Sequence, residues 1–130
     1  MAEKAGKLIG VEIVPEAIEN AKINAERMGV TNAEFICGDA GTAATELEKR
    51  GTAPDVIILD PPRKGCSEDT LEAVAKMNPK RVVYVSCNTA TMARDFKILD
   101  ELGYKPEKVQ PVDMFPKTAH VEGVGVLYRK

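Results

Sequence analysis

Val82-Val83-Tyr84-Val85-Ser86-Cys87-Asn88 begins as an apolar, β-branched run and breaks off into a polar turn. Val56-Ile57-Ile58-Leu59-Asp60-Pro61-Pro62-Arg63, further toward the N-terminus, does the same. Short apolar runs closed by turn residues read as strands of a parallel sheet, covered on both faces. Each run delivers a chemically active side chain at its carboxyl end, the edge where open α/β sheets bind ligands. A thiol and a carboxylate at that edge point to covalent chemistry.

Working outward from these two strands, the chain alternates. Lys7 to Glu12 reads as a strand. Pro15 opens a helix with Ala17, Ile18, Ala21, Ala25 and Met28 at helical spacing, stopped by Gly29. Ala33 to Cys37 is the next strand, followed by a weaker helix through Ala43, Ala44 and Leu47 to Gly51. Ser67 is a good N-cap for a helix buried through Leu71, Val74 and Ala75 and ended by Pro79. Thr89 or Thr91 caps a helix with the stripe Met92, Phe96, Leu99 and Leu102, stopped by Gly103. Strands around Lys108 to Val112 and Val121 to Tyr128 have no helix between them and so run antiparallel. The expectation is one α/β domain over residues 1–130, its sheet mostly parallel with an antiparallel C-terminal strand.

The bulk properties exclude several classes. A chain of 130 residues with 44% hydrophobic and 29% charged residues is of ordinary globular composition. No run approaches the ~20 apolar residues of a membrane span, so no membrane partner is expected. Met1-Ala2-Glu3-Lys4 is not an apolar signal segment. Three cysteines without CxxC spacing argue against a disulfide framework and for a reducing, cytoplasmic setting. With His120 the one histidine, no metal site is expected. A net charge of −2 neither demands nor excludes a polyanion. Arg63, Lys64, Lys80, Arg81, Arg94 and Lys117 form a basic patch only if the fold gathers them; otherwise they are scattered solvated charges.

Each candidate residue has two readings. Glu12, ending the first strand, either accepts hydrogen bonds from ribose hydroxyls or is a solvated strand-end carboxylate. Asp39 after Gly38 either reads an adenine amino group or belongs to a Gly-Asp turn. The prolines of Asp60-Pro61-Pro62-Arg63 cannot continue a ladder and fix an exposed, rigid backbone. Amino-group methyltransferases carry an aromatic residue after such prolines to stack the base; Arg63 here counts against an exocyclic nitrogen as target. Cys87 opens a helix, whose N-terminus favours a thiolate, or is a half-buried cysteine in a small-residue turn. Cys37 is expected in the core and Cys66 to be incidental. Glu122, starting the last strand, is a base or a strand-edge charge.

Together, Asp60-Pro-Pro-Arg-Lys-Gly-Cys66, Tyr84-Val-Ser-Cys-Asn-Thr-Ala-Thr-Met-Ala-Arg-Asp95 and Val112-Asp-Met-Phe-Pro-Lys-Thr-Ala-His-Val-Glu122 resemble the catalytic domain of the S-adenosylmethionine-dependent RNA 5-methyluridine (uracil-C5) methyltransferases. The segments come in that family's order and spacing. The resemblance implies a Rossmann-like methyltransferase fold, S-adenosyl-L-methionine as cofactor and a uridine in tRNA or rRNA as substrate. It implies Cys87 as the nucleophile that adds to uracil C6 and Glu122 as the base that removes the C5 proton. Glu12 corresponds to the ribose acid, Asp39 to the adenine contact and Asp60 to the acid near the methyl donor and target base. Cytosine-C5 or amino-group methylation, and a non-enzymatic remnant or adaptor, are the alternatives.

The chain departs from the family in having Asn88-Thr89 where Asn-Pro is usual and Lys117 where His is frequent. The larger departure is at the front: nothing ahead of Lys7 reads as the first, central strand and its acidic glycine-rich loop. Residues 1–130 are therefore expected to be the C-terminal segment of a longer enzyme, with little activity alone. The strands ending in Glu12 and Asp60 are expected either to pair directly or to be completed by a second copy, giving a homodimer through exposed sheet edges.

Overall fold

A computed structural model describes residues 1–130. The chain forms two compact units, Met1–Glu46 and Leu47–Lys130.

In the first unit, Ala2–Lys4 is a 3-10 turn, followed by β1 (Leu8–Glu12), α1 (Pro15–Arg27) and β2 (Ala33–Cys37). β1 and β2 pair in parallel from Leu8 opposite Ala33 to Glu12 opposite Cys37. Pro15 occupies the first turn of α1, where its missing N–H costs nothing. Asn32 ties the N-terminal turn down, its amide donating to the carbonyls of Ala2 (3.0 Å) and Ala5 (2.7 Å). The α1 stripe is shallower than its periodicity implies: Ile18 is buried, whereas Met28 is 78% exposed. Cys37 is exposed rather than in the core. It is the last residue of β2, where the half-buried run of the strand gives out. α2 (Ala40–Lys49) crosses the boundary between the units.

The second unit holds β3 (Val56–Leu59), α3 (Glu68–Lys76), β4 (Arg81–Ser86), α4 (Thr89–Glu101), β5 (Tyr104–Val112) and β6 (Glu122–Arg129). Its four strands lie in the order β3-β4-β6-β5. β3 and β4 are parallel, and β6 runs antiparallel to both β4 and β5. The core joins Leu59, Leu71, Val74, Val82, Tyr84, Met92, Phe96, Leu99, Tyr104 and Leu127. Tyr84 and Phe96 meet edge-to-face at 5.6 Å, a favoured aromatic geometry. Buried Tyr104 satisfies its hydroxyl on the Pro79 carbonyl at 2.9 Å. Gly125 is dictated by packing, since a Cβ there would enter the Phe96 ring and the Met92 methyl.

Several sequence expectations change. Direct pairing of the strands ending in Glu12 and Asp60 does not occur, because β1 and β3 belong to separate sheets and each has one strand partner. β3 is not covered on both faces: Val56 and Ile58 are 37% and 47% exposed. α2 stops at Lys49, two residues short of Gly51. β5 starts at Tyr104, well before Lys108; Pro106 and Pro111 are tolerated because this is an edge strand, with a bulge between Pro106 and Lys108. Ser67 caps α3 as expected, accepting from the Thr70 N–H. The cap of α4 is Asn88, not Thr89 or Thr91, because its Oδ1 takes the N–H groups of both Ala90 (3.1 Å) and Thr91 (3.4 Å). No helix is long and apolar enough to cross a membrane.

Candidate active site

Cys87 sits where β4 ends and α4 has not yet begun. Ser86 closes the turn around it: its hydroxyl donates to the Asn88 carbonyl (2.9 Å) and accepts from the Asn88 N–H (3.0 Å). Half-buried Cys87 lines a cleft of about 380 Å³ with Arg63, Asn88, Thr89, Ala119, His120 and Val121.

Two loops complete the cleft. The first is the Pro61–Ser67 connection after β3. The Arg63 carbonyl accepts from the Asn88 amide and the Thr91 hydroxyl, both at 3.2 Å. That ties the loop to the start of α4. The Arg63 guanidinium reaches His120, with Nη2 at 3.3 Å from Nδ1. The second loop is the exposed β5–β6 connection. It folds over a turn in which the Phe115 carbonyl accepts from the Thr118 N–H (3.2 Å) and hydroxyl (2.8 Å). Pro116 and Lys117 are its central residues, and Lys117 carries a φ of +68°. A proline followed by a left-handed residue is the pattern of a type II turn, which ordinarily selects glycine at the second place.

Glu122 enters through strand register. The β4–β6 ladder ends with Ser86 opposite Gly123, one residue before Cys87 on β4's side and one residue after Glu122 on β6's side, so both lie at the same end of that strand pair. Glu122 is half-buried, and its neighbours Val121 and His120 line the cleft. Asp60, at the end of β3, is exposed and is not among the cleft-lining residues.

Glu12 and Asp39 lie in the first unit, at the carboxyl ends of paired strands. Glu12 Oε1 accepts from the Ile13 N–H (2.7 Å) and the Val14 N–H (3.0 Å), turning the carboxylate back over the entry to α1. Asp39 caps α2, accepting from the Gly41 N–H (2.9 Å), the Thr42 N–H (3.1 Å) and the Thr42 hydroxyl. The Thr42 hydroxyl, followed by the two N–H groups, holds the Asp39 carboxyl below the usual carboxylate range.

Of the basic residues, Lys80 is engaged by Asp55 at 2.8 Å and Arg94 by Asp95 at 2.7 Å. The residues that sequence reasoning missed are those beneath the cleft. Asp95 is fully buried and accepts from Tyr84 OH, from the Cys66 N–H (2.7 Å) and from Arg94 Nε (2.9 Å). Arg94 Nη2 continues to the carbonyls of Lys64 (2.9 Å) and Cys66 (3.1 Å). Burial, then the Asp95 charge, pushes the Cys66 thiol up to about 11. Cys66 is thus a half-buried loop thiol held against Asp95. Burial and the bond to Asp95 likewise raise the Tyr84 phenol well above its ordinary range. The available sequence signal was polar Asp95 and apolar Phe96 and Met92 sharing one helix face.

Comparison with known proteins places this arrangement. An uncharacterised RNA methyltransferase of Oceanobacillus iheyensis is 55% identical over 130 residues, all of this chain and 28% of the relative. One from Bacillus cereus is 57% identical over 129 residues, covering 99% of this chain and 28% of the relative. The chain thus spans under a third of the length of these relatives. The crystal structure of Pyrococcus abyssi tRNA (uracil-54, C5)-methyltransferase with S-adenosyl-L-homocysteine superposes with a TM-score of 0.79 at 34% identity, over 97% of this chain and 30% of that one. An rRNA methylase from Streptococcus thermophilus, 10% identical, shares the fold alone, with a TM-score of 0.76 over 98% of this chain and 76% of its own. The fold is the α/β methyltransferase fold. Residues 1–130 match the tRNA (uracil-5-)-methyltransferase family throughout, and the chain belongs to that family.

Proposed function

We propose that residues 1–130 are a catalytic segment of a longer enzyme that methylates C5 of a uridine in tRNA or rRNA. The observation that supports this reading is the cleft that Cys87 lines at the carboxyl end of β4, with half-buried Glu122 next in sequence to its lining residue Val121. Uracil C5 is a weak nucleophile until C6 is attacked. The Cys87 thiolate adds to C6, and the electron pair of the C5–C6 double bond moves into an enolate. C5 then takes the methyl group as the donor's sulfur–carbon bond breaks. Glu122 accepts the C5 proton, the double bond re-forms, and the thiolate leaves. The net change replaces C5–H by C5–CH3 and places one proton on the base.

S-adenosyl-L-methionine supplies the electrophilic methyl group. Its adenosine end fits the first unit. Both backbone bonds to Glu12 fall on Oε1, which leaves Oε2 for ribose hydroxyls. Asp39 stands at the neighbouring strand end for the adenine. Asp60 serves near the methyl donor and target base.

Transfer of labelled methyl groups to matched RNAs bearing uridine or cytidine tests the reading. Labelling of uridine alone is expected; labelling of cytidine would overturn it. Cytosine-C5 chemistry with a second thiol has little support, because Cys66 is tied into the Asp95 network. A non-catalytic remnant is the other alternative. Calorimetry with S-adenosylmethionine separates that reading, as tight binding by this chain rules out a mere remnant.

A further inference from the structure

α4 presents four polar residues, Asn88, Thr91, Arg94 and Asp95, spaced so that they fall along one side of its first two turns. All four bind the backbone of the loop after β3. Asn88 and Thr91 hold the Arg63 carbonyl. Arg94 holds the carbonyls of Lys64 and Cys66, and Asp95 holds the Cys66 N–H. Asp95 is 0% exposed, and its carboxylate is also bonded by Tyr84 and Arg94, so the anchor cannot drift without leaving a buried charge unsatisfied. Gly65 lies between the anchors at φ +79°. A Cβ there would sit 2.5 Å from Arg94 Nη2 and 2.7 Å from Asp95 Oδ2, so the loop lies flat on this pair. The Arg63 guanidinium, in contrast, is exposed and projects to His120 across the Cys87 cleft.

We infer that Arg94 and Asp95 are positioning residues that clamp the Arg63–Cys66 backbone to α4 and so hold the Arg63 guanidinium at the Cys87 cleft. The inference rests on the proposed reading of that cleft as the RNA site. One helix carries both the turn that presents Cys87 and the clamp that presents Arg63, so their separation is set within a single rigid element.

The test is a double-variant comparison in the parent enzyme, reading kcat and KM for RNA methylation. Arg63→Ala, Arg94→Ala and the double variant are compared, with thermal melts for each. Misplacement by ~1 Å can cost up to ~100-fold, and Arg94→Ala is expected to lose roughly tenfold or more in kcat/KM. Because Arg94 acts through Arg63, the double variant should be no worse than Arg63→Ala. Losses that multiply, or a folded Arg94→Ala with wild-type kinetics, would overturn the inference. Should Arg94→Ala fail to fold, Thr91→Val removes one of the two donors to the Arg63 carbonyl and faces the same criterion: its loss must vanish in the Arg63→Ala background. Covalent trapping keeps the two readings apart. A wild-type enzyme that methylates RNA without a Cys87 adduct sinks the role of Cys87, while the double-variant comparison still decides the clamp.

Discussion

At the scale of single residues, environment separates side chains that look alike in the sequence. Of three cysteines, Cys37 is exposed at a strand end, Cys66 is locked against Asp95, and Cys87 alone lines the cleft. Glu122 is assigned proton removal after methyl transfer. With Glu122→Gln, the C6 adduct should form and take the methyl group but release slowly. Denaturing gels with uridine RNA should then show an adduct that wild type does not accumulate. Asp39 carries a prediction about pH. Its folded carboxyl lies below the ordinary range, so its capping contribution is full above the unfolded aspartate value of ~3.9 and is lost as pH falls through the lower folded value. The melting-temperature gap between wild type and Asp39→Ala should be open at neutral pH and close in strong acid. A gap that persists there would show that the charge is not what stabilises the cap.

At the scale of elements, the sequence was most informative where one local rule acts alone. Ser67 could be read as a cap because nothing else competes at the start of α3. The cap of α4 could not: Asn88, Thr89 and Thr91 are all good caps, and it is Asn88 that stays extended ahead of the helix with its Oδ1 on the Ala90 and Thr91 N–H groups. The three signature segments singled out Cys87 and Glu122 as candidates, whereas the Asp95 clamp stayed hidden because a charged residue on a helix reads by default as solvated. β5 runs further toward the N-terminus than the sequence reading, and its Pro106 is tolerated because the strand lies at the sheet edge, a fact of the tertiary fold. Gly65 tests the clamp as an element. Gly65→Ala places a Cβ at positive φ against Arg94 and Asp95 and should cost about 1–3 kcal/mol, measured by urea unfolding. A cost near zero would mean that the loop does not lie on the helix as described.

At the scale of the whole molecule, β1 and β3 each have one hydrogen-bonded neighbour, and Val11, Val56 and Ile58 are exposed beside those edges. Such edges template pairing with another strand. The isolated chain is expected to self-associate in light scattering at micromolar concentration, with Ile58→Lys shifting it toward monomer. A monodisperse wild-type monomer would show that the edges are inert. The account's central claim is more direct and concerns Cys87. In the parent enzyme, RNA bearing 5-fluorouridine at the target position, incubated with S-adenosylmethionine, should become bound through a denaturant-stable bond, since fluorine cannot leave C5 as a proton does. Peptide mass mapping should place that bond on Cys87, and Cys87→Ala should abolish it. No adduct with wild type, or an undiminished one with Cys87→Ala, would contradict the account.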